Sequence, residues 1–541
     1  MSAPLRYGAL TALFLCLLWT GLGLTGHAPW KPDEAYTFGL VLHILHSGDW
    51  VIPTLAGEPF MEKPPIFFIT AAFFCKLAGG WLPLHDAARL ASGFYLLLTL
   101  LCISLTAAEL GDRKGRITAP LIFISCIGLF ELSHRLQTDI SLMAGVALAL
   151  YGLALAPRRA VAGGLWLGTG TGLAFLSKGL IGPGFVGLCT LGMLGCVHWR
   201  QRNFFHSWLW ALATALPWLL IWPLLLYLRA PDQFHVWLWD NNISRFVGTS
   251  DSGLGPRSEA WFYTKTLPWF LWPALPLGLW GLWRSAGTGR LESPRMQLPL
   301  LSFLIMLACL AVAHDARSNY ALPLLAPTAL LGSLGSAELR ESGRKIWYGC
   351  GALLFGLLAL ILWVLWFCML MDAPAFLMAK LQHAEPGYVE HLRPFAVTVA
   401  ALLTLGWCVL ITRLRGEDAS WSWAAGMTLA WGLFSTLALP AVDYGRSYRS
   451  VMTELAAHLD PRSCLSSRAL GEPQRALLEY YAHTDSLRQE TFPKADCLQL
   501  LVEHRRDDTM PPPGPEWTQV WQGARPGDDY ETYRLYRRTS P

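Results

Sequence analysis

Charge is what this chain has least of. Asp, Glu, Lys and Arg make up 15% of its 541 residues while 53% are hydrophobic; a soluble chain carries about 25% charged residues. The shortfall lies in long apolar blocks such as Leu121–Leu132, Gly164–Leu176 and Cys350–Met371. Blocks that are apolar on every side are excluded as amphipathic surface helices, and their lengths suit membrane crossing. Other features are missing too. There is no basic stripe with interleaved aromatics, so the net charge of +4 does not point to nucleic acid. There is no P-loop, no nucleotide-sugar signature and no internal repeat. No small-x-small cleavage site follows the first apolar block, Tyr7–Leu24, which therefore reads as a retained span and not a signal peptide. The cysteines lack metal-ligand spacing, and nearly all sit in or beside apolar blocks as small core residues. Cys464 and Cys497 differ, because both lie in a polar tail where, if it is periplasmic, they could form a disulfide.

The apolar runs predict an α-helical polytopic membrane protein with about 13 transmembrane helices. The candidates are Gly8–Leu24, Ala87–Leu110, Ile117–Ser133, Ile140–Ala156, Val161–Leu176, Ile181–Trp199, Ser207–Leu228, Thr264–Trp283, Leu298–Ala313, Tyr320–Ala337, Ile346–Met371, Phe395–Ile411 and Ser420–Leu439. Pro65–Gly79 decides the orientation. If it spans, six basic clusters point outward: Arg113-Lys114-Arg116, Arg158-Arg159, Arg200/Arg202, Arg284/Arg290/Arg295, Arg340/Arg344/Lys345 and Arg413/Arg415. If it lies in the interface, all six fall on the cytoplasmic side with Arg6, as the positive-inside rule prefers. The N-terminus is then cytoplasmic, with a first periplasmic loop at 25–86 and a longer one at 229–263. The transmembrane part is expected over 1–440. The tail, 441–541, is richer in Gly, Pro and charge, with strand-like pieces at Cys464–Leu470, Cys497–Val502 and Tyr533–Tyr536 and a helix at Glu472–His483. It is expected to be a small periplasmic α/β domain.

This orientation collects Asp33, Glu34, Glu62, Lys63, Asp139, Lys178, Arg245 and Arg317 at the outer face. Ionisable residues beside spans are costly and tend to mark function. Asp33-Glu34 opens a helical stretch after the first span. A carboxylate there can simply complement a helix N-terminus, or it can serve as general base or electrostatic holder for an acceptor at the membrane surface. Glu62-Lys63-Pro64-Pro65 starts the interfacial segment, two prolines suiting a helix start. Lys63 is either an anchor among headgroups or a point charge for a lipid phosphate. Lys178 is either a snorkelling span end or a functional cation, since Lys at an outer end runs against the charge bias.

Asp33-Glu34, Ser47-Gly48-Asp49-Trp50 and Glu62-Lys63-Pro64-Pro65, in this order and spacing, resemble the aminoarabinose-transferase and protein-mannosyltransferase-related family. Thr138-Asp139, Gly172-Leu173-Ala174-Phe175-Leu176-Ser177-Lys178-Gly179 and Arg317 through Tyr320-Ala321-Leu322-Pro323 extend the likeness over most of 25–330. The resemblance implies a C-type membrane glycosyltransferase of a bacterial inner membrane. It further implies two interfacial helices after the first span, an undecaprenyl-phosphate-linked sugar donor, and transfer with inversion to a lipid or glycan acceptor, lipid A phosphate first, with another glycan or a protein as the alternative acceptor. By position, Asp33 and Glu34 are the expected catalytic carboxylates. Lys63, Lys178 and Arg317 would hold the donor phosphate, and Glu62, Asp139, Arg245 and Tyr320 would line the cavity. One stretch departs from the family. Where aminoarabinose transferases carry a Glu-His pair whose His helps hold a metal, this chain reads Asp240-Asn241-Asn242-Ile243-Ser244-Arg245-Phe246. Amide oxygens are poor zinc ligands and suit harder cations. Glu62 and Asn242 are thus left as candidate ligands of a divalent metal, and the donor sugar stays open. A transporter is the competing class, but its repeats and midplane ionisable groups are not found.

Overall fold

The computed structural model describes residues 3–130, 132–244, 261–313, 316–413, 420–506 and 513–538. Arg245 and Arg415 lie outside the described residues. The chain is mostly helical, and each of the thirteen apolar segments is helical over most of its length. Among the described residues, nine helices are long and apolar enough to cross a membrane, from Leu84–Glu109 to Ser420–Arg446. The remaining expected segments are helical but short or broken. Gly8–Gly21 and Ile181–Met193 are short, and Gly115–Ile124 meets Ile127–His134 at a 60° bend. The stretch 264–283 divides into Phe262–Phe270 and Ala274–Ser285, separated at Trp272-Pro273, where proline removes a helix donor.

The first long loop holds two helices, α2 (Asp33–Ser47) and α3 (Ile66–Ala78), after the first helix α1 (Ala3–Gly21). At 15 and 13 residues, α2 and α3 are shorter than the roughly 20 needed to span. Between them β1 (Thr54–Leu55) and β2 (Glu58–Pro59) form a small antiparallel hairpin. The helix Leu84–Glu109 is α4, Gly115–Ile124 is α5, Thr138–Leu155 is α6, Ala160–Lys178 is α7 and Ile181–Met193 is α8. The α6 helix is the centre of the bundle, with 94% of its apolar window buried, whereas Pro394–Arg413 buries only 6% and faces outward. Small residues bring α6 and α7 together: a Cβ on Gly152 would lie 2.4 Å from the Leu167 nitrogen. Van der Waals packing of this kind substitutes for a hydrophobic drive that lipid cannot supply.

The C-terminal part carries a mixed five-stranded sheet of order β4-β3-β5-β7-β6, built from β3 (Leu465–Arg468), β4 (Ser486–Arg488), β5 (Gln499–Arg505), β6 (Trp517–Gly523) and β7 (Glu531–Arg538). β3 runs parallel to both β4 and β5. A parallel pair needs a crossover, here the helix Glu472–Ala482 between β3 and β4. Cys464 and Cys497 are joined in a disulfide just before β3 and β5. The crossover helix rests on α2: Phe38 meets Tyr480 edge-on at 4.7 Å, and a Cβ on Gly39 would lie 2.7 Å from the Ala476 Cβ. Arg475, 1% exposed, donates to Glu58 of the β1–β2 hairpin at 3.0 Å, and Lys31 is bonded to Glu531 of β7. The sheet unit is thereby locked onto the loop that holds the expected catalytic residues.

Candidate active site

A cavity of about 610 Å³ opens where α2, the α7–α8 corner, the 3-10 helix Ser318–Leu324 and the crossover helix converge. Asp33 heads α2 and lines this cavity. One turn later, buried Tyr36 donates its hydroxyl proton to Asp33 Oδ1 at 2.8 Å, and Lys63 Nζ donates to the Tyr36 oxygen. Burial, followed by the Asp33 charge, pushes the Tyr36 phenol well above its usual range, so it remains a protonated donor. The result is a fixed Lys63–Tyr36–Asp33 chain, whose tyrosine ring stacks on Phe60 at 5.5 Å.

A second group comes from the helix ends on the other side. Asp139, 1% exposed at the start of α6, is paired with Lys178, the last residue of α7. Asn319 donates to the other Asp139 oxygen at 3.3 Å, and the Lys178 ammonium lies 3.7 Å from the Tyr320 ring centroid. The aromatic face adds to the attraction on a cation already held by a carboxylate. Arg317 lines the cavity, and its buried Nε has no hydrogen-bond partner among the described residues. Beyond the polar end, Leu142, Ile181, Phe185, Leu188 and Leu310 make an apolar wall.

The cavity thus brings together Asp33, Glu62, Lys63, Lys178, Arg317 and Tyr320, with Asp139 behind Lys178. It does not include Glu34. That carboxylate, expected beside Asp33 as catalytic, points the other way because adjacent helix residues do not share a face. Glu34 is 1% exposed and accepts from Arg89 Nε at 2.9 Å, the Leu136 N–H at 3.1 Å and the Trp30 N–H at 3.2 Å. Burial alone would raise its pKa, but Arg89 and then His27 hold it down to about 2. It ties the first loop to α4 and is structural. Fully buried Arg89 completes the knot with bonds to Asp86 at 2.7 Å and to the carbonyls of His27 and Ala28 at 2.8 Å.

Asn242 lines the cavity, but its amide is engaged on backbone: Oδ1 accepts the Leu180 N–H at 3.1 Å and Nδ2 donates to the Trp237 carbonyl at 2.8 Å. It clamps the corner after Lys178, where Gly179 has a φ of +70° and a Cβ would sit 2.1 Å from Asn242 Oδ1. Only glycine meets both demands. Among the described residues no group of three or more His, Cys, Asp or Glu side chains is placed to hold a metal. With Asn242 committed, the expected Glu62–Asn242 pair is an incomplete donor set for a metal.

Residues not expected from sequence also take part. Tyr36 sits in the first-loop motif, one turn from Asp33, a spacing that would have flagged it. Glu472 and Pro473 line the cavity from the crossover helix, and no local pattern connects them with α2, more than 400 positions away.

Residues 62–227 match the dolichyl-phosphate-mannose-protein mannosyltransferase family. An undecaprenyl phosphate-alpha-4-amino-4-deoxy-L-arabinose arabinosyl transferase of Sodalis glossinidius is 26% identical, covering 95% of this chain and 96% of the relative. Among solved structures, ArnT from Cupriavidus metallidurans bound to undecaprenyl phosphate superposes with a TM-score of 0.71 at 16% identity, over 99% of this chain and 98% of that one. The oligosaccharyltransferase AglB from Archaeoglobus fulgidus, in complex with an inhibitory peptide and a dolichol-phosphate, gives a TM-score of 0.52 at 12% identity, over 93% and 70%. Similar to these enzymes in sequence and fold over nearly its whole length, the chain is a multi-pass membrane glycosyltransferase that resembles the aminoarabinose and protein mannosyltransferase-related enzymes.

Proposed function

We propose that this protein transfers a sugar from an undecaprenyl-phosphate-linked donor to a cell-envelope acceptor on the periplasmic side, with lipid A phosphate the first candidate acceptor. The observation that carries the reading is one cavity joining three carboxylates, Asp33 among them, and three cations to an apolar wall. The wall suits a polyprenyl chain. Lys178 and Arg317 suit the donor phosphate, and Lys63 reaches the same space from the Asp33 side.

In the reaction, an acceptor oxygen attacks the anomeric carbon as the bond from that carbon to the donor phosphate oxygen breaks. The electron pair leaves with polyprenyl phosphate, and attack from the opposite face inverts the centre. Negative charge grows on the phosphate, where fixed cations lower the barrier. Asp33, oriented by Tyr36, takes the proton of a hydroxyl acceptor, or orients a phosphate acceptor that carries one. The Lys178–Asp139 pair keeps the ammonium aimed before substrate arrives, so little reorganisation is needed on binding.

The periplasmic orientation rests on the six basic clusters, and the disulfide between Cys464 and Cys497 suits an oxidising compartment. In reconstituted membranes with undecaprenyl-phosphate-linked sugar, Asp33→Asn is expected to cut turnover by about 10²–10⁴-fold, the range for a lost general base. Full activity in both Asp33→Asn and Lys63→Ala would sink the assignment.

A further inference from the structure

Lys31 stands two residues before Asp33, with Pro32 between them, and it is held from the far end of the chain. Its ammonium enters a socket on the C-terminal sheet, where it bonds Glu531 of β7. The Tyr448 hydroxyl donates to the other Glu531 oxygen at 2.7 Å, and the Tyr533 hydroxyl donates to that same oxygen at 3.1 Å. Glu503, on the neighbouring strand β5, lies close enough to feel the Lys31 charge. All four socket residues are buried, Tyr448 at 0% and Glu503 at 1% exposure. Burial alone would raise the Glu531 pKa, yet hydrogen bonds from Lys31 and then Tyr448 hold it below its ordinary value.

Two buried carboxylates are costly to keep in a small sheet unit. Docking alone does not call for them, because the crossover helix already seats on α2 through Phe38 and Gly39, and Arg475 bonds Glu58. What the socket holds is the segment that carries Asp33. That segment is pinned at three points. The Ala28 N–H and the Trp30 ring N–H both donate to Asp443 Oδ1 at 2.8 Å, and Glu34 is fixed by Arg89 at 2.9 Å. The third point is Lys31 on Glu531, and it comes from the sheet unit. Proline fixes its own φ, so Pro32 passes the placement of Lys31 on to Asp33 with little slack. A displacement of about 1 Å at a reacting group can cost about 10²-fold in rate.

We infer that Glu531 is a positioning residue for the transfer step: through Lys31 it sets where Asp33 stands, so that the C-terminal unit acts on turnover and not on donor binding. This rests on the transfer reading above.

The test uses the full chain in proteoliposomes with undecaprenyl-phosphate-linked 4-amino-4-deoxy-L-arabinose and lipid A. Glu531→Gln keeps an acceptor for both tyrosines, and the released Lys31, 26% exposed, can turn to water. This variant should lower kcat by about tenfold or more, with KM for the donor within about twofold of wild type. Glu531→Asp, which keeps the charge, should retain more of kcat. Lys31→Gln should match the loss of Glu531→Gln, and the double variant should be no slower than either, because both changes act through one contact. Lys31→Gln strands a buried carboxylate, whereas the double variant leaves none unpaired at this contact and keeps the test open if a single variant does not fold. A folded Glu531→Gln or double variant with wild-type kcat, a loss confined to donor KM, or additive losses would overturn the inference while the transfer reading stands. A folded wild type that transfers nothing overturns both.

Discussion

Two lysines and an arginine reach the cavity, but they differ in what stands behind them. Lys178 is paired with Asp139, which is 1% exposed and whose other oxygen accepts from Asn319. Lys178→Ala strips a buried carboxylate of its counter-charge, a change that costs about 3–5 kcal/mol. It should therefore lower both activity and the melting temperature in detergent. Arg317 has no such dependent, and its Nε lacks a protein partner among the described residues. Arg317→Ala should lower activity with the melting temperature almost unmoved, the profile of a side chain kept for a ligand. Equal destabilisation by both variants would mean that Arg317 is structural too.

At the scale of elements, the knot of α2, α4 and the start of the first loop decides how the site is held. Glu34→Gln leaves fully buried Arg89 short of a counter-charge, so a loss of about 3–5 kcal/mol is expected. The same knot predicts acid lability. Burial, and then Arg89, holds the His27 imidazole down to about 4, and Arg89 holds the Glu34 carboxyl down to about 2. Both folded values lie below the ordinary ones, so the unfolded chain binds more protons as pH falls. The His27 contribution is complete above about 6.5 and fades towards 4; the Glu34 contribution is complete above about 4.5 and fades towards 2. Melting temperatures measured from pH 7 to 4 should fall, and the fall above pH 4.5 should be smaller in a His27→Gln variant that still folds. Sequence alone revealed that Asp33-Glu34 mattered. It could not divide their roles, because neighbours on a helix part company only when the partner faces are known.

For the whole molecule, the apolar runs disclosed the helices and the first-loop motifs disclosed most of the cavity. Lengths were less legible. A run such as 264–283 is uniformly apolar yet breaks at Pro273, and the bend between Ile124 and Ile127 leaves no mark in hydropathy. In the tail, β3, β5, β7 and the crossover helix match expected pieces, whereas β6 has the burial pattern of an edge strand, mostly exposed, and carries little apolar signal. The docking of the crossover helix onto α2, which brings Glu472 to the cavity, is a product of tertiary contact alone. Orientation is tested directly by reporters fused after Arg446, where the last long helix ends. A periplasmic reporter should be active and a cytoplasmic one silent; the reverse would put the cavity on the wrong side for envelope acceptors.

The central claim is sugar transfer from a polyprenyl-phosphate donor through Asp33. Its most direct test is the mass spectrum of lipid A recovered from proteoliposomes containing the protein and an undecaprenyl-phosphate-linked sugar. The account predicts lipid A heavier by one sugar residue with wild type, and unmodified lipid A with an equally folded Asp33→Asn variant. Unmodified lipid A and other envelope acceptors with folded wild type, or equal modification by the variant, would contradict it.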